Sequence, residues 1–173
     1  MSYLPKLKNI KAFVFDVDGV FTDGSVYLLP DKNMSRVMSV LDGYAVVQAI
    51  KQGYIIGIIT GGNDPMVENR MTYLGIKDYY AKSSHKISDY EDFKSKHGLQ
   101  DSGILMMGDD IPDIGIMKAA EISACPANAV PEVKAISDYI SPVSGGKGAV
   151  RDVIEQVMKV QGKWNLDEET KSA

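Results

Sequence analysis

Two carboxylates, Asp16 and Asp18, stand one residue apart where the apolar run Phe13-Val14-Phe15 gives way to a turn at Gly19. If that run is a strand, alternation turns both acids toward the same side. Like charges held so close are costly unless a cation or a proton separates them. Bound Mg²⁺ meets that need, being a hard ion that takes oxygen ligands and favours substrates carrying phosphate. One carboxylate is then free to attack phosphorus and the other to move a proton. Taken alone, the same residues also fit a strand that ends in acids only to stop pairing and enter a turn.

Two further stretches carry groups suited to an anion. Ile58-Ile59-Thr60-Gly61-Gly62-Asn63 offers a hydroxyl and unhindered backbone N–H groups ahead of a helix start, which suits phosphate oxygens, although such a turn is also a common loop. Met107-Gly108-Asp109-Asp110-Ile111-Pro112-Asp113 sets three acids within five positions, and helix capping readily explains one of them, not three. Clustered carboxylates repel unless metal or lysine offsets them. Lys86 is a candidate for that charge, or else a solvated side chain at a helix start.

The elements that must position these groups are legible as short apolar runs at 12–15, 55–59, 104–107 and 122–124, the pattern of parallel strands buried on both faces. Helices separate them. The first is expected to start at Asp42 and span 44–51; the second has Asp64 as cap, Pro65 at its first position and Gly75 beyond Leu74. A third is expected over 86–97 with Gly98 as its stop, a fourth after Pro112 and a last one over about 149–160. This β-α alternation predicts an α/β fold: a three-layer, doubly wound, mainly parallel sheet with its ligand crevice at the carboxyl ends of the strands. Segments 25–29 and 34–40, flanking Pro30-Asp31-Lys32-Asn33, read as a β-hairpin overhanging that crevice.

A chain of 173 residues with 45% hydrophobic content suits one domain with a sizeable core, followed by a polar C-terminal tail from 161. Its formal net charge of -4, with no long basic run, argues against nucleic acid or an anionic membrane surface as partner. The single cysteine, Cys125, cannot form an internal disulfide, and the first residues carry no apolar core of signal-peptide length, so a cytoplasmic location is expected.

Asp16, Asp18, Thr60, Lys86 and Asp109, in this order and each near a strand end or helix start, resemble the haloacid dehalogenase superfamily of phosphohydrolases. The resemblance covers nearly the whole chain. It runs closest to the small capless sugar-acid phosphatases, through Asp16-Val17-Asp18-Gly19-Val20-Phe21-Thr22-Asp23-Gly24, Gly108-Asp109-Asp110-Ile111-Pro112-Asp113 and Gly145-Gly146-Lys147-Gly148-Ala149-Val150-Arg151.

The resemblance implies Asp16 as a nucleophile forming an aspartyl-phosphate and Asp18 as the acid and base for the two half-reactions. It implies Mg²⁺ held by Asp16, the Asp18 backbone carbonyl and Asp109, with Asp110 and Asp113 orienting Lys86 and metal-bound water. Thr60 and Lys86 would hold the phosphoryl group beside Gly61 and Gly62, where family members often carry Arg in place of Gly62. Arg151 and the 145–148 stretch are expected in a mobile substrate-contacting loop. The implied substrate is 3-deoxy-D-manno-octulosonate 8-phosphate, on the route to lipopolysaccharide, with a nine-carbon sialic-type acid 9-phosphate as the alternative.

Larger relatives close over their substrate with a cap domain, and here none fits: only the hairpin precedes the first helix, and one helix and one strand fill 60–86. The family resemblance therefore implies a homotetramer whose subunits complete one another's sites, with Arg70 reaching the sugar carboxylate in an adjacent subunit. A phospho-accepting signalling domain is a non-enzymatic alternative. Asp18 speaks against it, because a switch gains nothing from a base placed to hydrolyse its acyl phosphate. A scaffold with a vestigial site is disfavoured by the full set of catalytic residue types.

Overall fold

The computed structural model describes residues 3–30 and 34–164; the expected hairpin turn at 31–33 and the tail beyond Trp164 lie outside the described residues. In chain order the strands are β1 (Ala12–Phe15), β2 (Tyr27–Leu28), β3 (Met34–Ser35), β4 (Ile55–Ile59), β5 (Asp78–Tyr80), β6 (Ile104–Met107), β7 (Ile122–Cys125) and β8 (Tyr139–Ile140). The helices are α1 (Val40–Lys51), α2 (Pro65–Tyr73), α3 (Lys86–His97), α4 (Ile114–Ala119), α5 (Pro131–Ile136) and α6 (Ala149–Val160).

Six strands form one sheet in the order β5-β4-β1-β6-β7-β8, every pair parallel. β1 is central, and strand order reverses beside it, which opens a crevice at its carboxyl end. Alternation along β1 sends Phe13 and Phe15 into one core, with Val46 of α1, Met71 of α2 and Ile154 of α6. Ala12 and Val14 enter the other, with Phe93 of α3, Ile116 of α4 and Val133 of α5. These two cores make the three layers. β2 and β3 pair antiparallel as a separate hairpin of two residues on each side, shorter than the sequence suggested.

Helix boundaries follow local chemistry. α2 starts as expected, Asp64 accepting from Met66 N at 2.9 Å ahead of Pro65, and α3 ends on Gly98 in the left-handed region at φ 61°. α1 corrects the expectation. Its cap is Ser39, which accepts from Leu41 N at 3.1 Å, so the helix begins before Asp42. Asp42 is fully buried and caps a different helix, accepting from Arg151 N at 2.8 Å at the start of α6, where Gly148 has no side chain to do so. The short α5 and β8 carry too few apolar residues to show a period, and sequence reading missed both.

Candidate active site

β4, β1 and β6 lie side by side, so the residues that follow them, Thr60, Asp16 and Asp109, emerge at one edge. Lys86 reaches this edge from the first position of α3 and is buried. Its ammonium lies 3.1 Å from Asp16 Oδ2 and 2.8 Å from Asp113 Oδ1. Asp113 is sealed from solvent, and its other oxygen accepts from the N–H groups of Asp109 at 3.1 Å and Asp110 at 3.4 Å. The structure thus divides a pair expected to act together. Asp113 holds Lys86, whereas Asp110 is exposed and its carboxylate accepts from Ile111 N at 2.7 Å, starting the short turn that carries Asp113.

One oxygen each from Asp16, Asp109 and Asp113 falls within 4.8 Å of the others, and Asp109 Oδ1 is buried with no hydrogen-bond partner among the described residues. Burial, then the charge of Asp113, pushes Asp16 up to about 6 against the opposing pull of Lys86. Burial followed by Asp113, Asp16 and Asp110 pushes Asp109 up to about 7. Burial alone would lower Lys86, but Asp16 and Asp113 outweigh it and raise the ammonium's pKa. Three carboxylates against one ammonium leave negative charge uncompensated. The donor set therefore fits a hard divalent cation, for which Asp109 Oδ1 is a ready oxygen. The sequence expectation placed the Asp18 carbonyl, not Asp113, beside Asp16 and Asp109. The hydrogen bonds agree in one respect: both oxygens of Asp113 are already engaged, which suits it to holding Lys86.

Close backbone packing fixes this cluster. A Cβ on Gly19, at φ 83°, would lie 1.9 Å from Asp109 Oδ2, so only glycine lets the two turns approach. Gly145 is pressed on the same turn from outside, where a Cβ would lie 1.9 Å from Gly19 O. Asn128 ties the two, donating to Gly19 O at 3.2 Å and accepting from Gly145 N at 2.6 Å, and Gly146 N donates to Val20 O at 3.0 Å. The stretch at 145–148, expected in a substrate-contacting loop, lies against that turn in this structure. Its first two glycines allow close docking on the Asp16 to Asp23 turn. Arg151 lies apart from the carboxylate cluster, its guanidinium 5.6 Å from the Tyr44 ring and 5.5 Å from the Trp164 ring, with Nε 3.2 Å from Glu155.

Asp18 stands outside the cluster on the hairpin side. Arg36, just past β3, donates to it twice, Nε to Oδ1 at 2.7 Å and Nη2 to Oδ2 at 3.1 Å, and gives Nη1 to Asp64 Oδ2 at 2.8 Å. Sequence reasoning missed Arg36 although it stands in a hairpin expected to overhang the crevice; a cation there was the available signal. Thr60 is buried and its Oγ accepts from Gly62 N at 3.2 Å, which curls the turn so that a Cβ on Gly62 would be 3.8 Å from Asp18 Oδ2. Gly61 faces open space. A cavity of about 880 Å³ adjoins, lined by Arg36, Gly62, Asn63, Asp64, Met66 and Arg70 among others. Arg70, expected to reach a neighbouring subunit, lines this cavity of its own chain, 5.5 Å from the Tyr73 ring.

Comparison with known proteins agrees with this geometry. Residues 75–154 match the family described as haloacid dehalogenase-like hydrolase. The 3-deoxy-D-manno-octulosonate 8-phosphate phosphatase KdsC of Escherichia coli K12 is 33% identical over 165 residues, 95% of this chain and 87% of that protein. The crystal structure of the phosphatase of that name from Yersinia pestis superposes with TM-score 0.92 at 29% identity, covering 98% of this chain and 90% of that one. The Moraxella catarrhalis phosphatase, solved with magnesium, phosphate and KDO, gives TM-score 0.90 at 32% identity over 93% of this chain and 92% of its own. With its carboxylates at the carboxyl ends of β1 and β6 and its likeness to the 3-deoxy-D-manno-octulosonate 8-phosphate phosphatases running almost end to end, the chain belongs to the haloacid dehalogenase-like hydrolases.

Proposed function

We propose that this protein is a Mg²⁺-dependent phosphatase that hydrolyses 3-deoxy-D-manno-octulosonate 8-phosphate through an aspartyl-phosphate on Asp16. The observation that carries the reading is the buried Lys86 held between Asp16 and Asp113, beside an Asp109 oxygen with no partner. Asp16, Asp109 and the Asp18 carbonyl would hold Mg²⁺, which supplies positive charge to the phosphoryl oxygens. Lys86, the Thr60 hydroxyl and the Gly61 N–H would hold the same group beside Asp16, with the Gly62 N–H fixing the Thr60 Oγ.

An Asp16 oxygen bonds to phosphorus as the bond from phosphorus to the sugar oxygen breaks, and Asp18 gives its proton to that departing oxygen. Water then attacks phosphorus while Asp18 takes its proton, and phosphate leaves with Asp16 restored. The reading treats the chain as one catalytic domain working in a cytoplasmic route to lipopolysaccharide; among the described residues no helix is long and apolar enough to cross a membrane. A homotetramer with shared sites remains part of it, supported by the exposed apolar hairpin residues Tyr27, Leu28 and Met34.

The test is kcat/KM for the octulosonate 8-phosphate and the nine-carbon sialic-type acid 9-phosphate side by side, with Mg²⁺ and after chelation. The expected result is a preference of about ten-fold or more for the first substrate and loss of turnover on chelation. Preference for the nine-carbon substrate, or full activity without metal, overturns the assignment.

A further inference from the structure

We propose that Lys82 is a positioning residue for phosphoryl transfer, acting through its backbone and not through its charge; the proposal rests on the function read above. Lys82 lies just past β5 with φ 53°, the one residue other than glycine in the left-handed region among the described residues. A side chain there is costly, and such a residue persists only where its surroundings hold it. The ammonium does not explain the conformation, because the side chain is exposed and, among the described residues, pairs with no carboxylate. The backbone does. Lys82 N donates to Gly62 O at 2.9 Å and Ser83 N to Thr60 O at 3.0 Å. In an extended strand successive N–H groups point to opposite sides, whereas a left-handed residue between them turns both to one side. Two adjacent donors thus grip the two carbonyls that flank Gly61.

That grip sets the direction of the Gly61 N–H. No described peptide bond is cis, so the N–H of Gly61 points opposite to the carbonyl of Thr60. Thr60 turns both its backbone groups toward the β5 side, its N donating to Tyr80 O at 2.9 Å and its O accepting from Ser83 N. β4 lies between β5 and β1, so the Gly61 N–H points toward the end of β1, where Asp16 and Asp18 stand. It has no backbone partner among the described residues, and Gly61 faces open space. Ser83 also donates its hydroxyl to Asp89 in the first turn of α3, the helix that begins with Lys86. The 82–83 segment therefore holds the Thr60 turn and the Lys86 helix, which carry the groups assigned to the phosphoryl oxygens, in one fixed relation.

The test compares wild type with Lys82→Gly and Lys82→Asn, which lose the charge and favour the left-handed region, and with Lys82→Val, which is branched at Cβ and disfavours it. On a small aryl phosphate with Mg²⁺, kcat/KM is expected to stay within about two-fold in the first two and to fall about 30-fold in Lys82→Val, part of the loss seen when an oxyanion donor is removed outright. The second readout is the Gly61 amide, followed by NMR in isotope-labelled protein titrated with Mg²⁺ and inorganic phosphate. Its proton resonance is expected to move downfield in wild type, Lys82→Gly and Lys82→Asn, and to move little in Lys82→Val. A merely structural role slows Lys82→Val only through its folded fraction and leaves the response of the folded molecules unchanged, and that result overturns the proposal. So does activity lost equally in all three variants, which assigns the effect to the ammonium, or a folded Lys82→Val as active as wild type. If Lys82→Val does not fold, the two charge-free variants and the wild-type titration decide, and a Gly61 amide that does not respond to phosphate overturns the proposal. Wild type whose Gly61 amide responds, yet which hydrolyses no phosphomonoester, overturns the phosphatase reading and not the positioning.

Discussion

The two sides of the crevice are built differently. On one side Asp16, Lys86 and Asp113 are buried and Asp109 half-buried, and turns pack backbone against side chain so tightly that a Cβ on Gly19 would clash with Asp109. On the side of Asp18, Arg36, Asp64 and Arg70, long side chains reach across 18 and 28 residues of sequence to meet, and a cavity of about 880 Å³ stays open beside them. The first arrangement fixes atoms for one reaction. The second is built from side chains that substitution can change without disturbing the sheet, so on the proposed function it is where selectivity for the leaving group would be set.

Asp16→Asn breaks the comparison hardest. Turnover is expected to fall on the order of ten thousand-fold, because the amide is neither nucleophile nor anionic ligand. Thermal unfolding without metal is expected to show the variant at least as stable as wild type, since burial, then the charge of Asp113, pushes the Asp16 pKa upward. A variant that both unfolds and loses activity would mean that Asp16 holds the fold rather than the reaction.

Lys86→Met leaves the buried Asp113 and Asp16 without their cation. Urea unfolding is expected to show a loss of about 3 to 5 kcal/mol, the size seen when one partner of a buried pair is removed. Arg70→Ala, on the open side, should cost well under 1 kcal/mol in the same measurement, as its cation–π contact with Tyr73 is exposed. Equal losses would erase the distinction between the two sides.

Asp42 extends the buried side to the start of α6. Burial outweighs its hydrogen bonds from the Arg151, Gly148 and Val150 N–H groups and pushes it up to about 6. The folded state then binds this proton more tightly than the unfolded chain, so the stability due to protonated Asp42 is present below the ordinary carboxylate pKa and is lost as pH rises to about 6. The difference in unfolding free energy between wild type and Asp42→Asn is expected to move against wild type by about 2 to 3 kcal/mol across that window. A flat difference would contradict the burial of charge there.

The smallest effect sharpens the open side. Arg70→Ala is expected to lower kcat/KM for the sugar-acid phosphate about ten-fold and for a small aryl phosphate hardly at all. Mixing Arg70→Ala chains with Asp16→Asn chains, with subunit exchange verified, then separates two arrangements. Recovered activity supports a site shared between subunits, whereas none places Arg70 in the cavity of its own chain.

Much of the buried side was legible because its signals are local. Short apolar runs marked β1, β4, β6 and β7, and the acids, threonine and glycines that follow three of them stand within a few residues of each strand end. The role of Asp42 was misread for a physical reason: an acid at a helix start suggests its own helix's cap, and only the packing of α1 on α6 shows which helix it serves. Arg36 was missed for a related reason. Its charge in the hairpin was the one local signal, and Asp18 and Asp64 become its partners only when the chain brings residues 18, 36 and 64 together. The glycines at 145 and 146 read as freedom of motion, and contact with Gly19 and Val20 turns them into a close fit.

The central claim, that Asp16 carries the phosphoryl group, is tested most directly by acid-quenching a single turnover of the octulosonate 8-phosphate and mapping phosphorylated peptides by mass spectrometry. The account predicts a transient phosphoryl group on Asp16, formed before phosphate is released and absent from Asp16→Asn. Phosphate release with no phosphorylated Asp16 at any time, in a protein whose Asp16→Asn variant still turns over, would contradict it.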